Sequence, residues 1–169
     1  MKKVLVLVLL FVASFGMAQA AQNGASNANI GHIKSVSLNE QLALSIYLPH
    51  NYSSSEANYP VMYVVDGERY FLNAIAYQKN LIWQSKVPAF IVVGIDIQKS
   101  QRRELLGKGS QEFIKTLKKQ VVDYIERQYR TNDLRLYFGW EMAGGLGLDI
   151  LAAEPQLFDA LFLASSTHF

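Results

Sequence analysis

Apolar residues along this chain follow two patterns, which predict two kinds of strand. Between Leu42 and Leu48 apolar and polar residues alternate, which is typical of a strand with one buried face. His32–Leu38 is also strand-like, and Asn39-Glu40 predicts a hairpin turn between the two. Later segments are dominated by continuous apolar runs, which are typical of strands buried on both faces of a parallel sheet. These segments are Val61–Val65, Phe90–Ile95, Leu134–Phe138 and Ala160–Ala164.

Helical patterns fill the intervals between these strands. The clearest helix is predicted for Gln111–Gln128, where apolar residues recur every four positions from Phe113 to Ile125 and Ser110 is a suitable N-cap. Two further helices are predicted for Leu72–Gln84 and Met142–Ala153. Strands that alternate with helices form right-handed βαβ units. We therefore expect an α/β domain with a mainly parallel sheet and an N-terminal antiparallel edge.

Residues 1–20 have the composition of an export signal. Lys2 and Lys3 precede the unbroken apolar run Val4–Val12, and Ala18-Gln19-Ala20 forms a small-residue cleavage site. The run is shorter than the roughly 20 apolar residues of a membrane-spanning helix. We expect residues 1–20 to be a cleaved signal peptide and residues 21–30 a flexible leader. The mature protein is then periplasmic or secreted, without membrane contact.

Composition narrows the classes of partner and chemistry. Half of the 169 residues are hydrophobic and 18% are charged, which is typical of a globular domain. Without Lys2 and Lys3 the chain has 14 basic and 14 acidic residues, so nucleic acid is not an expected partner. The absence of cysteine excludes disulfides and a thiol nucleophile. His32 and His50 have no acidic or histidine neighbour at ligand spacing, and we expect neither metal nor cofactor.

Three turns follow the carboxyl ends of predicted strands, where ligands of open α/β sheets bind. They are Asp66–Phe71, Asp96–Gly109 and Gly139–Gly145. The third has the strand–turn–helix context of the Gly-x-Ser-x-Gly nucleophile elbow, although its glycines are equally consistent with close helix–strand packing. In the second turn, Arg102-Arg103-Glu104 either binds an anion at a pocket mouth or forms a solvated loop. We favour the loop because Glu104 balances the arginines.

Several motifs, in order along the chain, resemble one family of α/β-hydrolases: the esterases that include enterochelin esterases, esterase D and mycolyltransferases. Tyr59–Glu68 is similar to that family's YPVLYLLDG strand and turn, and Pro88–Ile95 to its PPxIVVGI strand. Gln111–Arg130 resembles its long helix, and Gly139–Leu161 follows its GHSLGGLFALYALL..PDLFDAY segment without a gap. The resemblance implies a three-layer α/β-hydrolase fold over residues 31–169. Because only the N-terminal two thirds of a family domain is matched, we expect this domain to be C-terminally truncated.

The same resemblance implies roles for residues of the elbow. The ungapped match places Glu141 at the family's nucleophilic serine. The elbow glycines are then Gly139 and Gly144, and the backbone N–H donors of the oxyanion hole are Glu68 and Met142. Tyr70, Phe71 and Trp140 either line an apolar pocket beside Glu141 or pack in the core.

The residues that complete a serine triad are missing from the expected places. Serine acylation needs a hydroxyl group, a histidine and a carboxylate, in the family order Ser, Asp/Glu, His. Glu141 has no hydroxyl, and the one histidine after it, His168, is not placed like the family's base. Asp149 and Asp159 lie inside the elbow helix and at the start of the following strand. We therefore expect a pseudoenzyme without serine-hydrolase activity, in which Glu141 caps the elbow helix.

Two alternatives remain open at this level. The chain is an active carboxylic-ester hydrolase if Glu141 is itself the nucleophile, or if a missing C-terminal part or a partner completes the triad. The expected ligand in either case is a small ester or acyl compound. A sheet that stops after Ala160–Ala164 also has an unpaired strand edge, through which the chain could form a homo-oligomer.

Overall fold

The computed structural model describes residues 32–168, and the interpretations of residues 1–20 and 21–30 lie outside that range. Its core is one six-stranded sheet of order β1-β2-β4-β3-β5-β6. The strands are β1 (His32–Ser37), β2 (Leu42–Leu48), β3 (Tyr59–Val65), β4 (Ile91–Ile97), β5 (Thr131–Trp140) and β6 (Ala160–Ala164). The β1–β2 and β2–β4 pairs are antiparallel, and β3–β4, β3–β5 and β5–β6 are parallel. The predicted mainly parallel sheet with an N-terminal antiparallel edge is confirmed.

All six predicted strands are present, and β2 and β6 have the predicted bounds. The largest difference is in β5, which begins at Thr131 rather than Leu134. Its first residues include Asn132 and Asp133, whose polar side chains break the apolar pattern although the backbone already pairs with β3 at Tyr59. Pairing with a neighbouring strand thus extends β5 beyond what hydrophobicity indicates.

Five α-helices accompany the sheet. They are α1 (Gly67–Trp83), α2 (Lys99–Leu105), α3 (Ser110–Thr116), α4 (Asp123–Gln128) and α5 (Met142–Ala153). The helix predicted for Gln111–Gln128 is confirmed, but a π-helical segment, Leu117–Val122, lies between α3 and α4. Helix α5 has the predicted bounds.

Three local expectations about helices were wrong. Helix α1 begins five residues before Leu72, because Asp66 adopts a left-handed conformation (φ 59°, ψ 50°) that turns the chain directly from β3 into the helix. Ser110 is the first helical residue and Gly109 precedes it as the cap, without a side-chain capping bond. Arg102 and Arg103 belong to helix α2 and not to a solvated loop.

The sheet separates two hydrophobic clusters, which makes the fold a three-layer sandwich. On one face Val64 and Val92 pack with Phe71 and Ile75 of α1. On the other face the alternate strand residues pack with buried side chains of α3, the π-helical segment, α4 and α5, and this cluster is the larger of the two. None of the helices within residues 32–168 has the length and apolar content needed to cross a membrane.

Candidate active site

The turn between β5 and α5 holds Glu141 in a strained backbone conformation. Its φ of 52° and ψ of −116° cost a residue other than glycine about 1–3 kcal/mol. Both of its backbone groups are tied down: the N–H donates to the Ala164 carbonyl at 2.9 Å, and the carbonyl accepts from Gly145 at 2.9 Å and Thr167 at 3.1 Å. The side chain is exposed at the carboxyl edge of the sheet. This is the geometry that presents a nucleophile at the tip of an elbow.

Close backbone packing explains the small residues around Glu141. A Cβ atom on Gly139 would lie closer than 3.0 Å to the Ala143 carbonyl oxygen, and one on Gly145 would lie equally close to the Thr167 oxygen. The Ala143 carbonyl cannot move away, because the buried Tyr137 hydroxyl donates a 2.6 Å hydrogen bond to it. The need for glycine was predicted at Gly139, but the contribution of Tyr137 and the requirement at Gly145 were not.

Gly144 and Met142, the other predicted elbow residues, lie in the first turn of α5. A Cβ atom on Gly144 would crowd Ser166, so this glycine lets the helix approach the chain that follows β6. Met142 is buried and is the first residue of the helix. Its N–H precedes the first intrahelical bond, which Gly145 makes to Glu141, and so has no acceptor inside the helix. The oxyanion-hole role expected for the Met142 N–H stays a prediction.

A buried ion pair joins two of the strand-end turns to the elbow. The Asp66 carboxylate, which has no exposed surface, accepts two hydrogen bonds of 2.7 Å each from Nε and Nη2 of Arg102. The third guanidinium nitrogen, Nη1, lies 3.5 Å from the sulfur of Met142. Arg102 therefore connects the turn after β3, helix α2 after β4, and the helix after β5.

This pairing was not predicted from the sequence, where Arg102 was interpreted only as a solvated or anion-binding side chain. A signal was nevertheless available. Asp66 and Arg102 each follow an apolar strand run, and the carboxyl ends of parallel strands meet at one edge of the sheet. Because the guanidinium is already bonded to Asp66 at two positions, it is not a free receptor for an anionic ligand.

Carboxylates surround that guanidinium. The hydrogen bond to Asp66 raises the pKa of Arg102, and the charges of Asp66, Glu141 and Glu68 raise it further. Burial raises the pKa of the Glu68 carboxyl, and the nearby charges of Asp66 and Asp96 add to the increase. The N–H of Glu68 stabilises its own carboxylate and so opposes this shift. The oxyanion-hole role expected for the Glu68 N–H stays a prediction.

The predicted helix cap is absent, and two of the three predicted pocket residues line a groove. Glu141 stands at the N-cap position of α5, but its carboxylate makes no capping hydrogen bond, so that expectation was wrong. Tyr70 and Trp140 stack with ring centroids 6.1 Å apart and line an apolar groove of about 450 Å³. Phe71 does not line it. It lies one turn before Ile75 on the sheet-facing side of α1 and is buried in the core.

The histidine nearest the end of the chain has a carboxylate partner, but not at the elbow. Nε2 of His168 lies 3.1 Å from Oδ1 of Asp149. Asp149 is eight residues beyond Glu141 on α5, about 12 Å at roughly 1.5 Å per residue. Within residues 32–168, no three histidine, aspartate or glutamate side chains gather in a way suited to a metal ion.

Comparison with known proteins shows the family to which this chain belongs. The profile of the family described as "Putative esterase" matches residues 35–167. The chain belongs to this esterase family. Its resemblance to the family, first seen in the motifs between Tyr59 and Leu161, is therefore confirmed.

Individual relatives are distant and longer. YbbA of Bacillus subtilis (strain 168), an uncharacterised protein, is 22% identical over 141 residues, which are 74% of this chain and 56% of YbbA. An IroE-like serine hydrolase from Shewanella oneidensis superposes with a TM-score of 0.71 at 23% identity, over 80% of this chain and 51% of that one. The siderophore hydrolase EstA from Aspergillus nidulans gives 0.68 at 18% identity, over 80% and 57%. These likenesses establish the α/β-hydrolase fold, and the chain spans about half the length of these proteins.

Proposed function

We propose that this protein is an exported, non-hydrolytic member of the esterase family that holds a small ester or acyl ligand at the elbow. The observation that carries the proposal is the exposed carboxylate of Glu141 at the strained tip of the turn. An elbow of this shape presents its side chain to a ligand carbonyl, and in the proposal the adjacent Met142 N–H donates to that carbonyl oxygen. Ligand binding at the elbow therefore remains feasible without a serine.

Two features argue against serine-type cleavage. A carboxylate cannot replace the serine in this reaction, because Glu141 has no alcohol hydroxyl from which a histidine base could generate an alkoxide. His168 pairs with Asp149 further along α5, with 3.1 Å between Nε2 and Oδ1, rather than with Glu141. The charges of Asp66, Glu141 and Glu68 all interact with the one guanidinium of Arg102. Three carboxylates that share one cation favour a neutral ester over an anionic ligand.

Hydrolysis of p-nitrophenyl acetate and butyrate tests the proposal directly. The purified mature chain, Glu141→Ala and Glu141→Ser should all release p-nitrophenol at the rate of buffer alone. Glu141→Ser is the sharper variant, since it restores the hydroxyl at the elbow and leaves the base as the missing group. Turnover by the wild-type chain that disappears in Glu141→Ala would contradict the proposal, provided that both proteins have the same circular dichroism spectrum.

One observation favours the alternative of an active hydrolase. The positive charge of Arg102 interacts with Glu141, and the strained turn holds that carboxylate exposed, as a nucleophile requires. In such a reaction the Glu141 oxygen attacks the ester carbonyl, the alcohol leaves with a proton taken from water, and a second water cleaves the resulting anhydride at either of its carbonyls. Mass spectrometry of the tryptic peptide, sampled during turnover, should then show a substrate-derived adduct on Glu141. Turnover without such an adduct would count against this route.

Export is tested separately. When the full chain is expressed in a Gram-negative host, the protein should be recovered from the periplasmic fraction with Ala21 as its N-terminal residue. Replacing Lys2 and Lys3 by Glu should reduce that recovery, because the positive n-region is lost. Recovery of protein that still begins at Met1 would contradict the signal-peptide interpretation.

A further inference from the structure

The two outer edges of the sheet differ in their protection against pairing with another strand. At one edge, β1 carries the exposed charge of Lys34 and the exposed polar side chains of Ser35 and Ser37. At the other edge, β6 (Ala160–Ala164) contains neither a charged residue nor a proline. Its inner side pairs with β5, and within residues 32–168 no strand pairs with its outer side. Folded proteins usually protect such an edge, because its unpaired N–H and C=O groups can bind another strand.

The sequence of β6 is a palindrome, Ala-Leu-Phe-Leu-Ala. If two copies pair antiparallel about a two-fold axis through Phe162, each Phe162 lies opposite the other. Leu161 then lies opposite Leu163 of the second copy, and Ala160 lies opposite Ala164. Every cross-strand pair therefore joins two identical apolar residues, and a cross-strand aromatic pair stabilises a sheet. A two-fold interface requires a surface that is complementary to itself, and β6 meets this requirement.

The residues that flank β6 allow this pairing. Asp159 would lie opposite Ser165 of the second copy, so no like charges face one another at either end. The Asp159 carboxylate is already bonded to β5, because its Oδ2 accepts a 2.7 Å hydrogen bond from the Arg135 N–H. Ser165 adopts a left-handed conformation (φ 48°), which turns the chain away from the strand direction. Pairing is thus limited to the palindrome itself.

Exposed apolar side chains flank the β6 edge on both faces of the sheet. On the α1 face, four of them line the groove of about 450 Å³ between α1 and the sheet. They are Phe162, Trp140, Tyr77 and Leu81, with 51%, 39%, 69% and 37% of their surface exposed. On the other face, Leu148 and Leu151 of α5 are 43% and 51% exposed. They lie four and seven positions after Gly144, so they share its side of the helix, and Gly144 lies against Ser166, just beyond β6.

The exposed apolar area is large enough for a stable dimer. A whole aromatic side chain buries about 150–250 Å², so these six partly exposed side chains present roughly 500 Å² of surface in each copy. Two copies would therefore bury roughly 1,000 Å² of side-chain surface. The backbones of the two paired strands add to this area and bring it into the range of about 1,200–2,000 Å² that is typical of specific interfaces.

We propose that this chain forms a two-fold symmetric dimer in which β6 pairs antiparallel with β6 of a second copy. The two six-stranded sheets then form one continuous sheet, and each copy covers the exposed apolar side chains beside the β6 edge of the other. The homo-oligomer expected from the sequence thereby acquires a definite axis, at Phe162. The carboxylate of Glu141 takes no part in this contact. The inference therefore goes beyond the function proposed for the elbow, and either can fail without the other.

Analytical ultracentrifugation of the purified chain tests the proposal. The 19.0 kDa chain should show a reversible equilibrium between monomer and dimer as its concentration rises from low micromolar to millimolar. A chain that stays monomeric throughout would overturn the proposal, and so would association that continues beyond the dimer, because a two-fold interface is closed. A monomer in which all amides of β6 resist hydrogen exchange would also overturn it, since another part of the same chain would then cover the edge.

A pair of matched variants locates the interface. Phe162→Lys places two like charges opposite each other at the axis and should weaken dimerisation at least about 100-fold. Ile33→Lys is the control, because Ile33 is a similarly exposed apolar residue (41%) on β1, at the opposite edge of the sheet. It should leave the dissociation constant unchanged. Equal weakening by the two substitutions, in proteins with the same circular dichroism spectrum as the wild type, would overturn the proposal.

A charge exchange tests the position of the axis. Phe162→Lys and Phe162→Glu should each be monomeric, because each variant would bring two like charges together. An equal mixture of the two should form a heterodimer, since position 162 of one copy then faces the opposite charge at position 162 of the other. This recovery also shows that both variants are folded. A mixture that remains as monomeric as its components would overturn the pairing through Phe162.

Discussion

Replacing Arg102 by methionine tests whether the Asp66–Arg102 pair holds the strand-end turns together. Methionine preserves most of the length of the side chain and removes the charge. Asp66 is completely buried, and the bonds from Arg102, two of 2.7 Å, are the hydrogen bonds that the structure shows to its carboxylate. Its side chain makes no capping bond to α1 that could compensate. The substitution therefore leaves a buried carboxylate without its cation.

The size of the effect follows from that burial. Breaking one side of a buried ion pair costs about 3–5 kcal/mol, whereas an exposed pair contributes about 0–1 kcal/mol. Arg102 is 20% exposed, so water partly screens the loss and the lower end of the range is expected. With a denaturant slope of about 2 kcal/mol/M, the urea midpoint should fall by about 1.5 M, as followed by circular dichroism.

The matched control is Lys115→Met, which breaks a 2.6 Å pair with Glu112 in which both side chains are mostly exposed. It should move the midpoint by less than about 0.5 M. The double variant Asp66→Asn/Arg102→Met should be more stable than Arg102→Met alone, since it leaves no charge buried. If Arg102→Met is no more destabilising than Lys115→Met, the buried pair does not hold the turns together.

Three further substitutions test the elbow and its surroundings. Glu141→Gly should raise the free energy of unfolding by about 1 kcal/mol over Glu141→Ala, because only glycine relieves the strain at φ 52° and ψ −116°. Gly139→Ala should cost about 3 kcal/mol, because its Cβ atom would clash with the Ala143 carbonyl. Burial raises the pKa of the Asp96 carboxyl, so folding favours the protonated form. Wild-type stability should then fall as the pH rises from the ordinary aspartate pKa through the raised one, and Asp96→Asn should be more stable above that window.

Urea denaturation measures all three effects, in the third case at a series of pH values. Equal stability of Glu141→Gly and Glu141→Ala would mean that the turn is not strained. If Gly139→Ala has the same urea midpoint as the wild type, the elbow backbone can move away from Ala143. For Asp96, the raised pKa would be contradicted if the difference in free energy of unfolding between wild type and Asp96→Asn did not change with pH. Ser45, which donates a 2.7 Å hydrogen bond to Asp96, provides a control, since Ser45→Ala should raise that pKa further.

Much of the fold could be predicted from the sequence, because the local pattern of apolar and polar residues indicates which faces of a strand or helix are buried. A continuous apolar run such as Val61–Val65 indicates a strand covered on both faces, and the alternation in Leu42–Leu48 indicates one that is not. The small residues from Gly139 to Gly145 likewise located the elbow. Two backbone segments can approach closely only where side chains are small, so such a contact requires glycine or alanine. These signals depend only on residues that are close in sequence, so a short stretch of the chain is enough to recognise them.

The tertiary structure decided which distant side chains meet. Asp66 and Arg102 are 36 residues apart, and only the order of the strands and the placement of α2 bring them within 2.7 Å. The hydrogen bond that the buried Gln78 side chain accepts from the Phe90 N–H is equally invisible in the sequence, where Gln78 is one more polar residue on a helix. The sequence alone thus determined the layers of the fold and the position of Glu141. The contacts around Glu141 follow from packing, because burial in three dimensions, rather than residue type, sets hydrogen-bond partners and raises the pKa of carboxyls such as those of Glu68 and Asp96.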